Sequence, residues 1–248
     1  SEDWYFVSHR LHLATMAIDN GYEVALLSRV SKHQDFIRSL GIRTFNWPFE
    51  RRSLNPVREL VSIYNIIRTV RSFKPNLVHA VGIKPAVYAA LSNVFFSIDG
   101  IVLALGGLGF IFRSRKPSAK ILRMFIVPIF RLFLFDSKIR LIIQNKDDRQ
   151  ILEGLSIAKR EKIRIIRGAG VSVKDFFPKQ IQHEIPLVIL PARMLWDKGV
   201  EDFVNCAQRC ISNKVSVRFA LIGNPDLHNP ESIPEVQLKK WVELGIVE

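Results

Sequence analysis

The feature that most constrains the fold of this chain is a repeated order of helix, glycine and short apolar strand. A helix predicted over residues 11–20 ends at Gly21 and leads into a strand at 23–28, and a second helix predicted over 32–40 ends at Gly41. Glycine commonly follows the last turn of a helix, where the backbone turns left-handed. Strands that are apolar throughout, rather than alternating, are buried on both faces and indicate a parallel sheet covered by helices. The sequence therefore predicts an α/β fold with a doubly wound sheet.

The same order continues along the chain in two blocks. The first block has further strands at 42–45, 77–80, 101–105, 140–144 and 162–167, separated by helices at 57–73, 86–96, 120–134 and 147–155. The second block has a strand, a helix and a strand at 186–190, 200–210 and 217–222. We therefore expect a Rossmann-like domain over 1–176 and the start of a second over 177–248. We expect both ends to be cut, with the chain starting in a loop after a missing first strand, because about 70 residues do not close a second core.

The charge balance predicts an anionic partner. The 248 residues include 36 Lys and Arg against 23 Asp and Glu, a net charge of +13, which favours nucleic acid, membranes or phosphorylated molecules. Hydrophobic residues make up 48% of the chain and charged residues 24%, so an intrinsically disordered chain is excluded. Cys206 and Cys210 lie four residues apart in a predicted helix, an arrangement that favours free thiols in a reducing, cytoplasmic compartment.

The most informative segment is the loop at 192–199, between the first strand and the first helix of the second block. Ligands of open parallel sheets bind beyond the carboxyl ends of the strands, and a helix N-terminus there favours anions. Arg193 and Lys198 would place two positive charges beside such a helix start, which suits a diphosphate. The alternative, that both are ordinary solvated loop cations, stays open on spacing alone.

This loop, read as Arg193 to Gly199, resembles the R-x(4)-K-G element of retaining glycosyltransferases of family 4. Segments elsewhere resemble other parts of that family in the expected order, namely 2–10 (EDWYFVSHR), 78–85 (VHAVGIKP), 107–109 (GLG), 144–148 (QNKDD) and 168–171 (GAGV). The opening segment is similar to that of the bacterial branch that builds polysaccharides on lipid carriers. Together the ordered matches cover nearly the whole chain.

The resemblance implies the GT-B arrangement of two Rossmann-like domains facing each other across a cleft, with the acceptor on the first domain and a nucleotide-sugar donor on the second. It implies transfer from a nucleotide-diphosphate sugar, expected to be UDP-linked, to a polyprenyl-diphosphate-linked saccharide, without a metal or other cofactor. By the same resemblance, Arg193 and Lys198 hold the donor diphosphate and neutralise the leaving group, with Gly199 and Gly223 beside them. Preorganised cations can do this without a general acid.

His79 lies at a strand end, where it would contact donor or acceptor hydroxyls, and the resemblance favours a catalytic role for it. The resemblance implies acceptor binding by five other residues: His9, Arg10, Lys84, Gly107 and Gly109. A boundary role for His79, and packing or capping by Arg10, remain open alternatives. The glycines would let backbone approach the cleft, although a plain tight turn needs the same residues.

Three departures from the family pattern stand out. Leu105 and Gly106 occupy the place where many members carry a histidine, and Ser172 replaces the aspartate of the commoner G-x-G-V-D. The E-x(7)-E element would lie beyond Glu248. A phosphate loop and zinc-ligand spacings are absent from the sequence, and no basic-aromatic motif predicts nucleic-acid binding.

The apolar stretch 121–135 is flanked and interrupted by cations, namely Arg113, Arg115, Lys116, Lys120, Arg123, Arg131, Lys138 and Arg140. Such a helix suits an anionic bilayer, so we expect peripheral attachment to the inner face of the cytoplasmic membrane. Equally, the helix could pack on the sheet with its cations extending outward. Two other functions stay open for the whole chain: a nucleotide-sugar 2-epimerase of the same fold, and a non-catalytic membrane-docking protein.

Overall fold

A computed structural model describes residues 2–50, 55–108, 112, 117–178, 184–226, 229 and 231–248. The chain divides into two compact units, Ser1–Ser172 and Val173–Glu248. The strands of both units pair in parallel, as the apolar pattern of the sequence predicts.

Among its described residues, unit 1 has six strands in two sheets. The first sheet pairs β1 (Ala25–Ser28) with β2 (Arg43–Asn46). The second has four strands in sequential order: β3 (Leu77–Val81), β4 (Gly100–Ala104), β5 (Ile139–Ile143) and β6 (Ile163–Ile165). A helix connects each strand of this sheet to the next.

The described helices of unit 1 are α1 (Asp3–His9), α2 (Leu11–Asp19), α3 (Gln34–Ser39), α4 (Pro56–Phe73), α5 (Ile83–Phe95), α6 (Pro117–Leu134) and α7 (Lys146–Gly154). Helix α5 contacts both α4 and α6, so these three helices lie side by side. Leu103 and Leu141 are paired across β4 and β5 and are fully buried, and Phe130 of α6 packs in the same core. Burial of such side chains supplies the main stabilisation of the unit.

Unit 2 has the order strand, helix, strand, helix. Its elements are β7 (Leu187–Pro191), α8 (Val200–Ser212), β8 (Arg218–Ile222) and α9 (Glu235–Glu243). The backbone of Glu248 then pairs with β8, donating to Phe219 O at 2.8 Å and accepting from Leu221 N at 2.9 Å. This alternating pattern is that of a parallel ladder, so Glu248 occupies the position of a third strand beside β8.

The structure differs from the sequence prediction at several boundaries. The segment before α2, predicted as a loop, forms the helix α1. Helix α5 begins at Ile83, three residues before the predicted start, because Pro85 is tolerated in a first turn where its missing N–H would be unpaired anyway. Helix α9 was not predicted.

The start of α1 is held by a buried carboxylate. Asp3 is fully buried and accepts hydrogen bonds from the backbone N–H of Ser31 at 2.6 Å and of His33 at 3.0 Å. Burial alone would raise the pKa of this carboxyl, but these hydrogen bonds, led by that from Ser31, lower it overall. The helix is thereby fixed to the loop that follows β1.

In the described part of the chain, no helix has both the length and the apolar character needed to cross a bilayer.

Candidate functional site

A cavity of about 220 Å³ lies in unit 1 where the four-stranded sheet ends. It is lined by residues just beyond or near the carboxyl ends of β4, β5 and β6, together with His79 of β3 and the start of α2. Its polar lining comes from Arg10, His12, His79 and Gln144. This edge of a parallel sheet is where ligands of such folds bind, and the cavity is large enough for a single sugar ring or a diphosphate.

His79 gives the cavity a neutral imidazole. Its Nε2 is buried and has no hydrogen-bond partner among the described residues. Burial lowers the pKa of His79, and the positive charge of Arg10 lowers it further. The ring is therefore neutral at pH 7, and its unpaired nitrogen is available for a hydrogen bond to a ligand hydroxyl.

Arg10 stands between α1 and α2, in a backbone conformation outside the helical region. Its Nε is also buried without a partner among the described residues. A buried, unpaired polar atom is costly, so the pocket has two polar groups, on Arg10 and His79, whose bonds a ligand would complete. Both residues were predicted from the resemblance, and the structure brings them together in one cavity.

The other residues predicted for acceptor binding lie elsewhere or make other contacts. His9 does not line the cavity; its Nδ1 is 2.6 Å from the Ser8 hydroxyl and its ring stacks on Tyr5 at 4.4 Å between ring centres. Gly107 has a positive φ of 148° beside the lining residue Gly106. Gly109 lies outside the described residues.

Lys84 is held by a carboxylate. Its Nζ lies 2.8 Å from Glu59 Oε1 across the α4–α5 contact, and the other oxygen of Glu59 accepts a hydrogen bond from the Tyr88 hydroxyl. The side chains of Lys84 and Glu59 are both about three-quarters buried. Glu59 therefore neutralises much of the charge of Lys84, for which the resemblance implied acceptor binding.

Sequence reasoning gave no role to Gln144, His12 or Gly168, although two of them lie in segments that resemble the family. Gln144 directly follows β5, and a Cβ at Gly106 would approach its Nε2 to 3.9 Å. The signal that would have found it was its position at a strand end beside Gly106, since β4 and β5 are neighbours in the sheet. Its amide can donate to and accept from a bound hydroxyl.

In unit 2, the predicted donor residues converge where β7 and β8 end. Ala192 N donates to Ile222 O at 3.0 Å and Met194 N donates to Asn224 O at 3.2 Å, which fixes the backbone on both sides of Arg193. The glycine that follows β8, Gly223, packs directly against this loop. A Cβ there would lie 1.8 Å from Ala192 O, so no other residue fits without moving the loop.

Arg193 forms an ion pair in this loop. Its Nη1 lies 2.9 Å from Asp226 Oδ2, and more than half of the Arg193 side chain is exposed. An exposed ion pair contributes little to stability. The guanidinium is thus oriented by Asp226 and still accessible to an anion.

Lys198 ends a short 3-10 turn, Trp196–Lys198, directly before α8. Gly199 follows with φ 71° and is the N-cap of α8, and it makes no side-chain bond to the first-turn N–H groups. Two contacts of Trp196 fix this loop to the rest of unit 2. Its backbone N–H donates to Glu231 O at 2.9 Å, and its indole packs edge-on against Trp241. Lys198 and the N-terminus of α8 each contribute positive charge of the kind that an anion requires, beside the carboxylates Glu201 and Asp202 in the first turn of the helix.

Within the described residues, no group of three or more His, Cys, Asp and Glu side chains is placed to hold a metal ion. Cys206 and Cys210 are free thiols on α8, as predicted.

The family model described as "Glycosyl transferase 4-like" matches residues 1–146, and the chain belongs to this family. The match confirms the resemblance stated from the sequence.

One curated relative is N,N'-diacetylbacillosaminyl-diphospho-undecaprenol alpha-1,3-N-acetylgalactosaminyltransferase of Campylobacter jejuni. It is 24% identical over 225 residues, which cover 86% of this chain and 58% of the relative. The chain therefore spans little more than half the length of that enzyme.

Two solved structures show the same fold. A sucrose-phosphate synthase from Thermosynechococcus elongatus matches with a TM-score of 0.68, and a glycosyltransferase from Rickettsia africae with 0.62. Each is 14% identical, and each match covers 94% of this chain and 60% of the solved chain. The likeness confirms the α/β, GT-B-like fold predicted from the sequence.

Proposed function

We propose that this protein is a retaining glycosyltransferase that moves a sugar from a nucleotide-diphosphate donor, expected to be UDP-linked, to a polyprenyl-diphosphate-linked saccharide. The observation that carries the proposal is the cavity of unit 1, where the unpaired Arg10 and His79 meet at the carboxyl end of a parallel sheet. The name of the Campylobacter relative, which contains a diphospho-undecaprenol acceptor, supports this class of acceptor.

On the donor side, Arg193 and Lys198 bind the diphosphate at the N-terminus of α8. As the bond between the anomeric carbon and the diphosphate oxygen breaks, negative charge grows on that oxygen. Fixed cations lower the barrier because they are already oriented toward this charge. Asp226 keeps the Arg193 guanidinium oriented, so little reorganisation is needed. We propose that these cations act in place of a metal ion.

On the acceptor side, Arg10 offers a positive charge to a phosphate or a sugar oxygen. His79, which is neutral at pH 7, forms a hydrogen bond with a sugar hydroxyl in the cavity and orients it. Gln144 lines the same cavity and completes the polar contacts. A polyprenyl-linked acceptor keeps its lipid in the membrane, so we propose that the protein works at the inner face of the cytoplasmic membrane.

Variants of the cationic loop test the donor part of this proposal. Arg193→Ala and Lys198→Ala in the full-length gene product should each lower turnover by about 10²-fold, the usual loss when one charge-stabilising group is removed. The matched control is Arg209→Ala, which removes an exposed cation from α8 about 15 Å from its N-terminus. Full activity in both loop variants would overturn the proposed donor site.

Variants of the cavity test the acceptor part. His79→Ala and Arg10→Ala should raise the KM for the lipid-linked acceptor and leave the KM for the nucleotide sugar unchanged. An effect on the donor KM alone would contradict the assignment of the cavity to the acceptor.

A further inference from the structure

Helix α6 exposes an apolar face to solvent. Four of its side chains, and Phe135 directly after it, are exposed by the following fractions: Ile121 57%, Met124 65%, Phe125 61%, Leu132 72% and Phe135 89%. Their spacing places them on one side of the helix. The opposite side carries Val127, Phe130 and Leu134, which are buried in the core of unit 1. The helix is thus apolar on both sides. An exposed apolar face of this kind marks a surface that contacts a partner or a membrane.

The charges of α6 itself have one sign. The 18 residues of α6 contain no Asp or Glu, and its cations are Lys120, Arg123 and Arg131. Lys120, Arg123, Met124, Val127 and Pro128 line a shallow groove of about 290 Å³ on the same helix. Cations beside exposed apolar side chains match a phospholipid bilayer, whose interior is apolar and whose surface phosphates are negatively charged.

The position of α6 is firmly fixed. Lys162 Nζ donates to the carbonyl oxygens of Leu134 at 2.6 Å and Phe135 at 3.2 Å, which satisfies the end of the helix. Arg131 donates to Leu155 O from its Nε at 3.1 Å and its Nη2 at 2.6 Å. These contacts hold the helix against the rest of unit 1, so its outer face is presented without rearrangement.

We propose that α6 lies in the surface of an anionic phospholipid bilayer, with Ile121, Met124, Phe125, Leu132 and Phe135 among the acyl chains and with Lys120 and Arg131, at the edge of this face, beside the phosphates. From 121 to 135 the face is about 21 Å long, and amphipathic helices of this kind enter a bilayer by about 5–10 Å. A second copy of the chain fits less well, because pairing two such faces would bring their cations together without a carboxylate on either helix.

This docking does not depend on the transfer reaction. The sequence left open a second possibility, in which α6 only packs on the sheet and its cations extend into solvent. The inner side does pack on the sheet, but the outer side carries large apolar groups.

Co-sedimentation with vesicles free of donor and acceptor tests the proposal. The protein should bind phosphatidylcholine vesicles in which one third of the lipid is phosphatidylglycerol, and bind pure phosphatidylcholine much less. The double variant Phe125→Ser, Leu132→Ser should bind the anionic vesicles at least about tenfold more weakly. Lys120→Ala should cost about fivefold. Val236→Ser, which alters a side chain 79% exposed on α9, is the matched control and should bind normally.

A tryptophan placed on the exposed face of α6 reports membrane contact at that position directly, so the test does not depend on whether the double variant folds. The emission of tryptophan in Phe125→Trp should shift to shorter wavelength when anionic vesicles are added, whereas that in Val236→Trp should not. Unchanged binding by the double variant with a normal circular dichroism spectrum, or an unshifted emission from Phe125→Trp, would overturn the docking. So would a dimer in light scattering that the double variant abolishes, since the face would then belong to a second copy. A transfer-inactive protein that still binds vesicles would refute the proposed reaction alone.

Discussion

Gly223 offers the sharpest test of the loop that carries Arg193. Its φ is 155°, and a Cβ would lie 1.8 Å from Ala192 O and 2.9 Å from the carbonyl carbon of the same residue. Both atoms belong to the backbone, so no side-chain rotation relieves the contact. Gly223→Ala must therefore move the segment that precedes Arg193.

The cost follows from the contacts that move. A side chain in this backbone region costs about 1–3 kcal/mol. Displacing the loop also breaks the hydrogen bonds from Ala192 N to Ile222 O and from Met194 N to Asn224 O, worth about 1 kcal/mol each. We expect Gly223→Ala to lower the free energy of unfolding of unit 2 by about 3–5 kcal/mol.

Gly245 is the matched control in the same unit. Its φ is also positive, at 65°, but nothing lies within 4 Å of the position of a Cβ, so Gly245→Ala should cost only about 1 kcal/mol. Urea titration followed by hydrogen exchange and mass spectrometry measures both variants separately in unit 1 and unit 2. Equal losses in the two variants would refute the close packing of Gly223 against the loop.

Three other predictions concern unit 1. The pKa of His79, read from its ring protons by NMR, should lie below the ordinary value near 6.5 and should rise in Arg10→Ala, since the charge of Arg10 lowers it; an unchanged value in the variant would contradict their proximity. Because the unfolded chain takes up this proton more readily, the free energy of unfolding should fall as the pH drops below about 6.5, and His79→Asn should remove that part of the dependence. Asn145→Ala should destabilise unit 1 by about 1 kcal/mol in urea titration, since Asn145 Oδ1 accepts from Asp148 N at 2.7 Å at the start of α7, and Asn145→Ser should recover most of the loss if the cap is the cause.

The alternation of elements was predictable because it depends on local pattern. The strand β4 is a continuous apolar run with no exposed side chain, and the helices end near Gly21 and Gly41 as predicted. The helix α1 was missed because its stability comes from the distant Ser31 and His33, whose N–H groups bind Asp3. Hydrogen bonds between residues about 30 positions apart cannot be predicted from the hydrophobic periodicity of residues 3–9.

The candidate site was predictable in part. Arg10 and His79 were predicted from the resemblance. That they line one cavity depends on how α2 is placed relative to β3, and the hydrophobic pattern of the sequence does not specify this placement. Lys84 illustrates the limit: the resemblance implied acceptor binding, whereas the packing of α4 on α5 gives it Glu59 as a partner. The exposed apolar side of α6 was likewise hidden, since an apolar stretch does not tell which of its faces is covered.

The most direct test of the central claim is the mass of the acceptor after incubation of the full-length gene product with a UDP-sugar and a polyprenyl-diphosphate-linked saccharide. We predict that the acceptor gains the mass of one sugar residue, that the nucleotide diphosphate is released in equal amount, and that the anomeric configuration of the donor is retained. An epimerised donor formed without acceptor would identify a 2-epimerase instead. An acceptor of unchanged mass and an intact donor, across a panel of nucleotide sugars, would contradict sugar transfer by this protein.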